Sequence, residues 1–147
     1  MKKNLCFICS ILMLILTTGC GEKILTCKGN IAQNDINYKV EVVGNFLNDK
    51  LKVQTIQMET DLTNYLQYTD INSFVELYEQ QYEKFNDYNG VSVSVSNTDN
   101  SVIVVMNIDL EQVDSETYKF LDIGNGSLEM SIEAFEDEFK KMDFSCE

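Results

Sequence analysis

The chain of 147 residues contains no proline, tryptophan, histidine or arginine. Without histidine it lacks the commonest general base and the commonest zinc ligand. Without arginine it lacks the usual bidentate clamp for phosphate or carboxylate groups. It also has no phosphate-binding glycine loop and no Ser-x-x-Lys sequence. These absences argue against an enzyme, so we expect no catalytic residue and no cofactor.

Positive charge is scarce as well. Eleven lysines stand against 24 acidic residues, and the formal net charge is −13. All of the acidic residues follow Cys20, so the part of the chain after Cys20 is the acidic part. Nucleic-acid binding depends on Lys and Arg that meet phosphate, and this balance argues against it. The same balance argues against electrostatic binding to an anionic membrane face, so any membrane contact must come from a covalent lipid.

The one long apolar run lies at the N-terminus and ends in a cysteine. Two lysines precede Leu5–Leu16, an apolar stretch of about a dozen residues that is too short to span a bilayer and typical of an export signal. The following Thr17–Cys20 segment, Thr-Thr-Gly-Cys, resembles a bacterial lipobox. We therefore predict that residues 1–19 are a lipoprotein signal peptide and that the thiol of Cys20 carries the lipid.

This leader, residues 1–19, has two alternative interpretations. It is either an uncleaved N-terminal anchor or an ordinary secretory signal with an incidental cysteine. Cys6 and Cys9 form a CxxC pair inside the apolar run, so we expect them to leave with the signal peptide rather than to bind a metal. We predict a lipid anchor and short tether over residues 20–26 and a single domain over residues 27–147. The domain is then expected on the extracytoplasmic side of the cell membrane, close to the bilayer.

Two cysteines remain after the leader, Cys27 and Cys146. An exported compartment permits disulfides, and a bond between these two would join the ends of the domain. Spacing alone does not prove a pair, and two separate thiols are the alternative. We favour the disulfide.

The folded part alternates between strand and helix patterns. Period-two alternation of apolar residues indicates strands. The slip of phase after Val53 predicts a β-bulge near Thr55. The predicted strands are Glu22–Asn30, Ile36–Val42, Leu51–Met58, Val91–Val95 and Val102–Leu110.

Helical spacing takes over in three further segments. It predicts an amphipathic helix over Ile71–Phe85, a short helix over Asp114–Leu121 and a closing helix over Leu128–Met142. The first and last align at a constant offset of 57, which indicates either a duplicated ββα unit or two similar helices by chance. The predicted fold is α+β, an antiparallel sheet of about five strands in ββα-ββα-like order with amphipathic helices packed on one face.

Two sets of residues are candidate ligand sites. Asp122, Asn125 and Ser127 supply too few oxygen ligands for a calcium loop, so we interpret Asp122 as part of a turn and expect no metal site. Aromatic side chains offer the other candidate, because they suit binding surfaces. Either they line a ligand groove, or the helical Tyr78 and Tyr82 belong to the core. The tyrosines concerned are Tyr65, Tyr68, Tyr78, Tyr82 and Tyr88.

The order of these segments resembles the YehR-like family of small bacterial lipoproteins. The likeness rests on the lipobox at Cys20, a hairpin, the helix over Phe74–Phe85, the alternating Val91–Val95 strand that leads into Val102–Leu110, and the closing helix. The resemblance implies a lipid-anchored α+β domain and carries over no catalytic residue. We therefore expect a non-enzymatic lipoprotein that acts by binding or by envelope interaction, with a protein or small-molecule partner. The alternative is a solute- or cation-binding accessory lipoprotein.

Overall fold

A single antiparallel sheet organises the molecule. The computed structural model describes residues 21–33, 36–121 and 127–147. The strands are β1 (Glu22–Gln33), β2 (Ile36–Leu47), β3 (Lys50–Asp61), β4 (Val91–Asn97), β5 (Ser101–Asp109) and β6 (Ser145–Cys146). They are arranged in the order β4-β5-β3-β2-β1-β6. The predicted α+β class and antiparallel sheet are confirmed, but the expected five strands are one too few, because two-residue β6 is too short to show a period.

In the described residues three α-helices accompany the sheet, α1 (Ile71–Tyr82), α2 (Ser115–Phe120) and α3 (Ile132–Lys141). A 3₁₀ turn, Glu83–Asp87, continues α1 for the rest of the predicted helix. The side chain of Asp70 accepts from the backbone N–H of Ser73 and caps α1. In the described part of the chain, no helix is long and apolar enough to cross a membrane.

The β2–β3 hairpin turns at Asn48 and Asp49. Both residues have positive φ, 52° and 60°, as in the two-residue turns that match strand twist. The predicted bulge is misplaced, however. The pairing steps from Asn45–Val53 to Phe46–Leu51, which leaves the extra residue at Lys52 rather than near Thr55. This shift turns both Leu51 and Gln54 towards the core, where both are buried.

Strand β1 begins at Glu22, well before the predicted domain boundary at Cys27. Residues 22–26 therefore belong to the sheet rather than to a tether, and Gly21 alone lies between Cys20 and the strand. The carbonyl of Gly21 accepts from the backbone N–H of Asn48 at 2.8 Å, which ties the start of β1 to the β2–β3 turn. The signal peptide over residues 1–19, the lipid on Cys20 and the Cys6–Cys9 pair lie outside the described residues.

The chain ends against β1, where Cys27 and Cys146 form the predicted disulfide. The two residues are register partners with a Cα–Cα distance of 4.0 Å. Next to them, Thr26 and Glu147 exchange two backbone hydrogen bonds of 2.9 Å. The ring of Phe144 packs over Gly29 of the same strand, a position where a Cβ would overlap the ring. The C-terminal segment is thus held by backbone pairing, a covalent bond and ring packing.

The apolar core lies between the sheet and α3. Phe135 and Phe139 of α3 are buried. The ring of Phe135 meets that of Phe46 edge-on, with the centroids 5.4 Å apart, and lies 4.8 Å from that of Phe139. Helix α3 is therefore packed tightly against β1 and β2.

Candidate binding cleft

Helix α1 lies differently from α3. It has an apolar face of the predicted spacing, yet none of its residues is buried. Its aromatic side chains Phe74, Tyr78 and Tyr82 are all half-buried. Between this face, the sheet and α2 lies a cleft, which we call the α1 cleft.

Four alternate residues of β3 share the face of the sheet beneath the α1 cleft, and two of them, Ile56 and Met58, line it. Gln54 and Thr60 are buried, whereas Ile56 and Met58 between them are only half-buried. The hydroxyl of Tyr118, on α2, donates to Gln54 Oε1 at 2.8 Å. The hydroxyl of Tyr78, on α1, donates to Thr60 Oγ1 at 3.3 Å. Each of the two helices is thus tied to β3 by one tyrosine. Ile56 and Met58 are left as the floor of the cleft.

The part of the α1 cleft next to α2 is an apolar cavity of about 270 Å³. Apart from the phenol of Tyr82, its lining offers only hydrocarbon and thioether groups. Phe120 stands at its rim with 62% of its surface exposed. The lining consists of Ile56, Met58, Tyr82, Phe85, Val104, Met106, Phe120 and Leu121.

A second cavity of about 270 Å³ adjoins the first near the far end of the β1–β2 hairpin. Met58 and Tyr82 line both cavities, so the two are neighbours. This second cavity contains three phenols and two amides beside its apolar groups. Its lining consists of Ile31, Gln33, Tyr38, Val40, Met58, Tyr78, Gln81 and Tyr82. The α1 cleft therefore has an apolar half and a polar half.

A row of aromatic rings forms one wall and joins α1 to α2. Tyr78 stacks on Tyr82 with centroids 6.1 Å apart, and Phe85 follows at 5.9 Å. The row continues from Phe85 to Tyr88 at 6.3 Å and from Tyr88 to Phe120 at 5.9 Å. Such ring pairs add to the stability given by buried area alone.

The 3₁₀ turn beneath this row is fixed to the sheet edge. The side-chain amide of Asn86 accepts from the backbone N–H of Val93 at 2.6 Å and donates to the carbonyl of the same residue at 3.3 Å. The side-chain amide therefore pairs with the backbone of β4 as the backbone of a neighbouring strand would. This contact positions the wall of the α1 cleft without burying it.

The α1 cleft is electrically neutral in a strongly acidic protein. Among the described residues, none that lines either cavity carries a charge. Burial raises the pKa of Tyr82, and the nearby phenols of Tyr78 and Tyr38 raise it further. Burial also raises the pKa of Tyr38. Both phenols are therefore neutral near pH 7, where they can donate and accept hydrogen bonds.

The position of α2 depends on Tyr118, and this gives a pH prediction. Burial, together with the negative charge of Glu138, raises the pKa of Tyr118 to about 12. Below the ordinary pKa of 10 the phenol is neutral in both states, so its contribution to stability is complete. From pH 10 to 12 the unfolded chain loses the proton first, and the free energy of unfolding should fall.

Replacing Tyr118 with phenylalanine should remove this contribution. Near pH 7 the variant leaves buried Gln54 without its donor, and we expect a loss of about 1–3 kcal/mol. Urea unfolding at several pH values from 8 to 11 should show that the difference between wild type and Tyr118→Phe shrinks above pH 10. A difference that stays constant over this range would contradict the shifted pKa.

The sequence identified some of these residues and missed others. Tyr78 and Tyr82 line the α1 cleft and are not core residues, and Tyr88 continues the aromatic row. Tyr65 instead contacts the ring of Phe74 at 6.5 Å, and Tyr68 is 82% exposed and lines neither cavity.

Strand β3 and the start of β2 supply the residues that the sequence did not single out. Gln54 and Thr60 are buried polar residues on a face that otherwise carries Ile56 and Met58. That alternating pattern was the available signal. Tyr38 adds a third phenol from β2.

The metal prediction concerns two residues outside the described part. Asp122 and Asn125 are not described, so the structure does not test the turn predicted at Asp122. Within the described residues, no group of three or more Cys, Asp or Glu side chains could hold a metal ion.

Comparisons with known proteins relate the chain to two solved structures. No protein-family model matches, and no curated protein matches. The NMR structure of the Escherichia coli YehR protein is similar over 86% of this chain and 92% of that one, with a TM-score of 0.65 and 17% identity. The NMR structure of a protein from Streptococcus pneumoniae TIGR4 matches over 85% of this chain and 86% of that one, with a TM-score of 0.59 and 10% identity.

At these identities the likeness concerns the fold alone. The chain is therefore an α+β domain with a YehR-like fold. The lipid on Cys20 and membership of a lipoprotein family stay predictions from the sequence.

Proposed function

We propose that the chain is a lipid-anchored, non-enzymatic binding protein on the outer side of the cell membrane, and that the α1 cleft holds its ligand. One observation carries this proposal, the half-buried aromatic face of α1 above Ile56 and Met58. Burial of an aromatic or aliphatic side chain contributes about 1.5–3 kcal/mol, and a helix that leaves such a face half-exposed forgoes part of it. A ligand in the cleft would supply the missing burial.

The composition of the α1 cleft supports binding of a solute rather than of a cation. Binding sites are typically concave and mostly apolar, with a few polar groups that orient the ligand. The phenols of Tyr38, Tyr78 and Tyr82 are such groups. No carboxylate lines either half of the α1 cleft, whereas calcium and magnesium prefer oxygen ligands with negative charge.

The proposed anchor sets a geometry for the cleft. Strand β1 starts at Glu22, so the lipid on Cys20 would lie at that end of the sheet. At about 3.3 Å per residue, Ile31 lies roughly 30 Å further along the strand. Since Ile31 lines the polar half, this half opens far from the anchored end. The ligand would then come from outside the bilayer in which the lipid is inserted.

The anchor is tested by replacing Cys20 with serine. We expect the variant to move from the membrane fraction to the soluble fraction or the medium, because the acidic domain has no electrostatic attraction to anionic lipids. Cell fractionation with immunodetection measures this shift. Cys9→Ser is the matched control and should stay with the membrane, since Cys9 lies in the predicted signal peptide. Membrane retention of Cys20→Ser would contradict the anchor.

The binding role is tested by photo-crosslinking in intact cells. A photoreactive phenylalanine at Phe120 or Gln81, both at the rim of the α1 cleft, should yield adducts that mass spectrometry detects. The same group at Tyr68, which is exposed and lines neither cavity, should not. An equal yield at the three positions, or no adduct at either rim position, would contradict a ligand in the cleft.

A further inference from the structure

We propose that the ligand of the α1 cleft is a neutral amphiphile, with an uncharged hydroxyl-bearing head in the polar half and an alkyl chain in the apolar half. This inference rests on the proposed binding function and adds the chemical class of the ligand. It follows from the division of one cleft into two cavities of different chemistry. Each cavity measures about 270 Å³, and Met58 and Tyr82 line both.

The apolar half has the properties of a chain-binding cavity. Ile56, Val104 and Met106 form its floor, and Phe85, Phe120 and Leu121 close its sides. Met side chains adapt to flexible apolar partners. The exposed Phe120 at the rim would gain burial when the cavity is filled. Affinity should therefore rise about fourfold for each methylene that enters the cavity.

The polar half matches hydroxyl groups. Phenols and amides both donate and accept hydrogen bonds, as hydroxyl groups do. Tyr78 already donates to Thr60, so its oxygen is left as an acceptor, whereas Tyr38, Gln33 and Gln81 also offer donors. The stacked rings of Tyr78 and Tyr82 add a flat surface beside them.

The lining offers no counter-charge to either charged class of amphiphile. An anionic head would find no lysine in the lining, within a chain whose formal net charge is −13. A cationic head would find no carboxylate in the lining. An unpaired charge in such a site is costly, whereas an uncharged head leaves no charge unpaired.

The test is isothermal titration of residues 21–147, which contain every described strand and helix and the disulfide, with alkyl β-glucosides below their micelle concentration. We expect saturable binding that tightens about fourfold for each methylene from hexyl to octyl. Octyl sulfate and octyltrimethylammonium should bind at least tenfold more weakly, and glucose should show no saturable binding. Equal or tighter binding of either charged amphiphile, or no dependence on chain length, would overturn the proposal.

Variants locate the two halves. Phe120→Ala should weaken octyl glucoside binding about tenfold, because it removes a wall of the apolar half. Tyr38→Phe should weaken it about fivefold through the lost hydrogen bond. Leu77→Ala is the matched control on α1, since Leu77 is 56% exposed and lines neither cavity, and it should bind as wild type does. Equal affinities of Phe120→Ala and Leu77→Ala would overturn the location of the chain.

The outcome separates this inference from the proposed function. If photo-crosslinks form at Phe120 but no neutral amphiphile binds, the binding role stands and the ligand class is wrong. If neither is observed, both are wrong. If the full chain with residues 1–20 binds no glucoside whereas residues 21–147 bind it, the apolar leader occupies the cleft and the proposed ligand is overturned for that form.

Discussion

Replacing Cys146 with serine is expected to lower the free energy of unfolding by about 4–5 kcal/mol. The disulfide joins residues separated by 119 positions, and the chain-entropy model assigns a stabilisation of this size to so long a loop. The substitution should also destabilise the C-terminal segment that pairs with β1. Cys27 is fully buried, and the backbone pairing of Thr26 with Glu147 and the packing of Phe144 on Gly29 depend on the same segment.

Urea unfolding of wild type, of Cys146→Ser and of wild type with a reductant measures this effect. The reductant should destabilise wild type nearly as much as the substitution does, and it should leave Cys146→Ser unchanged. Alkylation and mass spectrometry of the oxidised protein provide the control, with no free thiol expected at Cys27 or Cys146. Alkylation of both Cys27 and Cys146 in the oxidised protein, or a decrease of the free energy of unfolding below about 1 kcal/mol in Cys146→Ser, would contradict this account of the C-terminal segment.

Replacing Phe135 with alanine is expected to destabilise the domain by about 3–5 kcal/mol, because the side chain is fully buried and the cavity cannot close completely. The ring packs edge-on against Phe46 and contacts Phe139, so its removal also breaks two aromatic contacts. Thermal or urea unfolding measures the change. Fluorescence of tyrosine is available as a probe, since the chain has no tryptophan.

Tyr78 is the matched comparison for Phe135, since it occupies the corresponding place in α1 at the offset of 57 residues. Tyr78→Ala should cost clearly less, about 1–2 kcal/mol, because the ring is only half-buried and loses one hydrogen bond to Thr60. Equal losses for Phe135→Ala and Tyr78→Ala would mean that α1 is packed as tightly as α3. That result would contradict the α1 cleft.

Much of the fold could be predicted because its strands are half-buried. The alternation in Val91–Val95 and Val102–Leu110 indicated β4 and β5. The position of the bulge could not be predicted in the same way. It depends on which residue of β2 stands opposite Lys52, and that partner is a property of the sheet. Strand β6 exists through its pairing with β1 and has no period of its own.

The α1 cleft was harder to predict than the sheet. The spacing of Tyr78 and Tyr82 is the spacing of Phe135 and Phe139, and the sequence cannot distinguish a half-buried helix from a buried one. The difference lies in what each helix rests on. Beneath α3 the rings of Phe46 and Phe144 complete the core, whereas α1 packs against β4 and β5 and reaches β3 through the hydrogen bond of Tyr78 to Thr60.

The two buried polar residues beneath the cleft could not be recognised from the sequence for a related reason. Gln54 and Thr60 are of residue types that usually face solvent, and both are buried here. The burial of each is explained by a hydrogen bond from a tyrosine hydroxyl, and each tyrosine lies far from its partner in the sequence. Tyr118 lies 64 positions from Gln54, and no local pattern could connect the two.

The most direct test of the α1 cleft is methyl NMR of residues 21–147 with ¹³C-labelled methionine, titrated with octyl β-glucoside. Met58 and Met106 line the apolar half, whereas Met130 is buried elsewhere and Met142 lies beyond the end of α3. The account predicts shifts and intermolecular NOEs to the alkyl chain at Met58 and Met106, with Met130 and Met142 unchanged. Unchanged signals of Met58 and Met106 at saturating glucoside, or NOEs to Met142 alone, would contradict it.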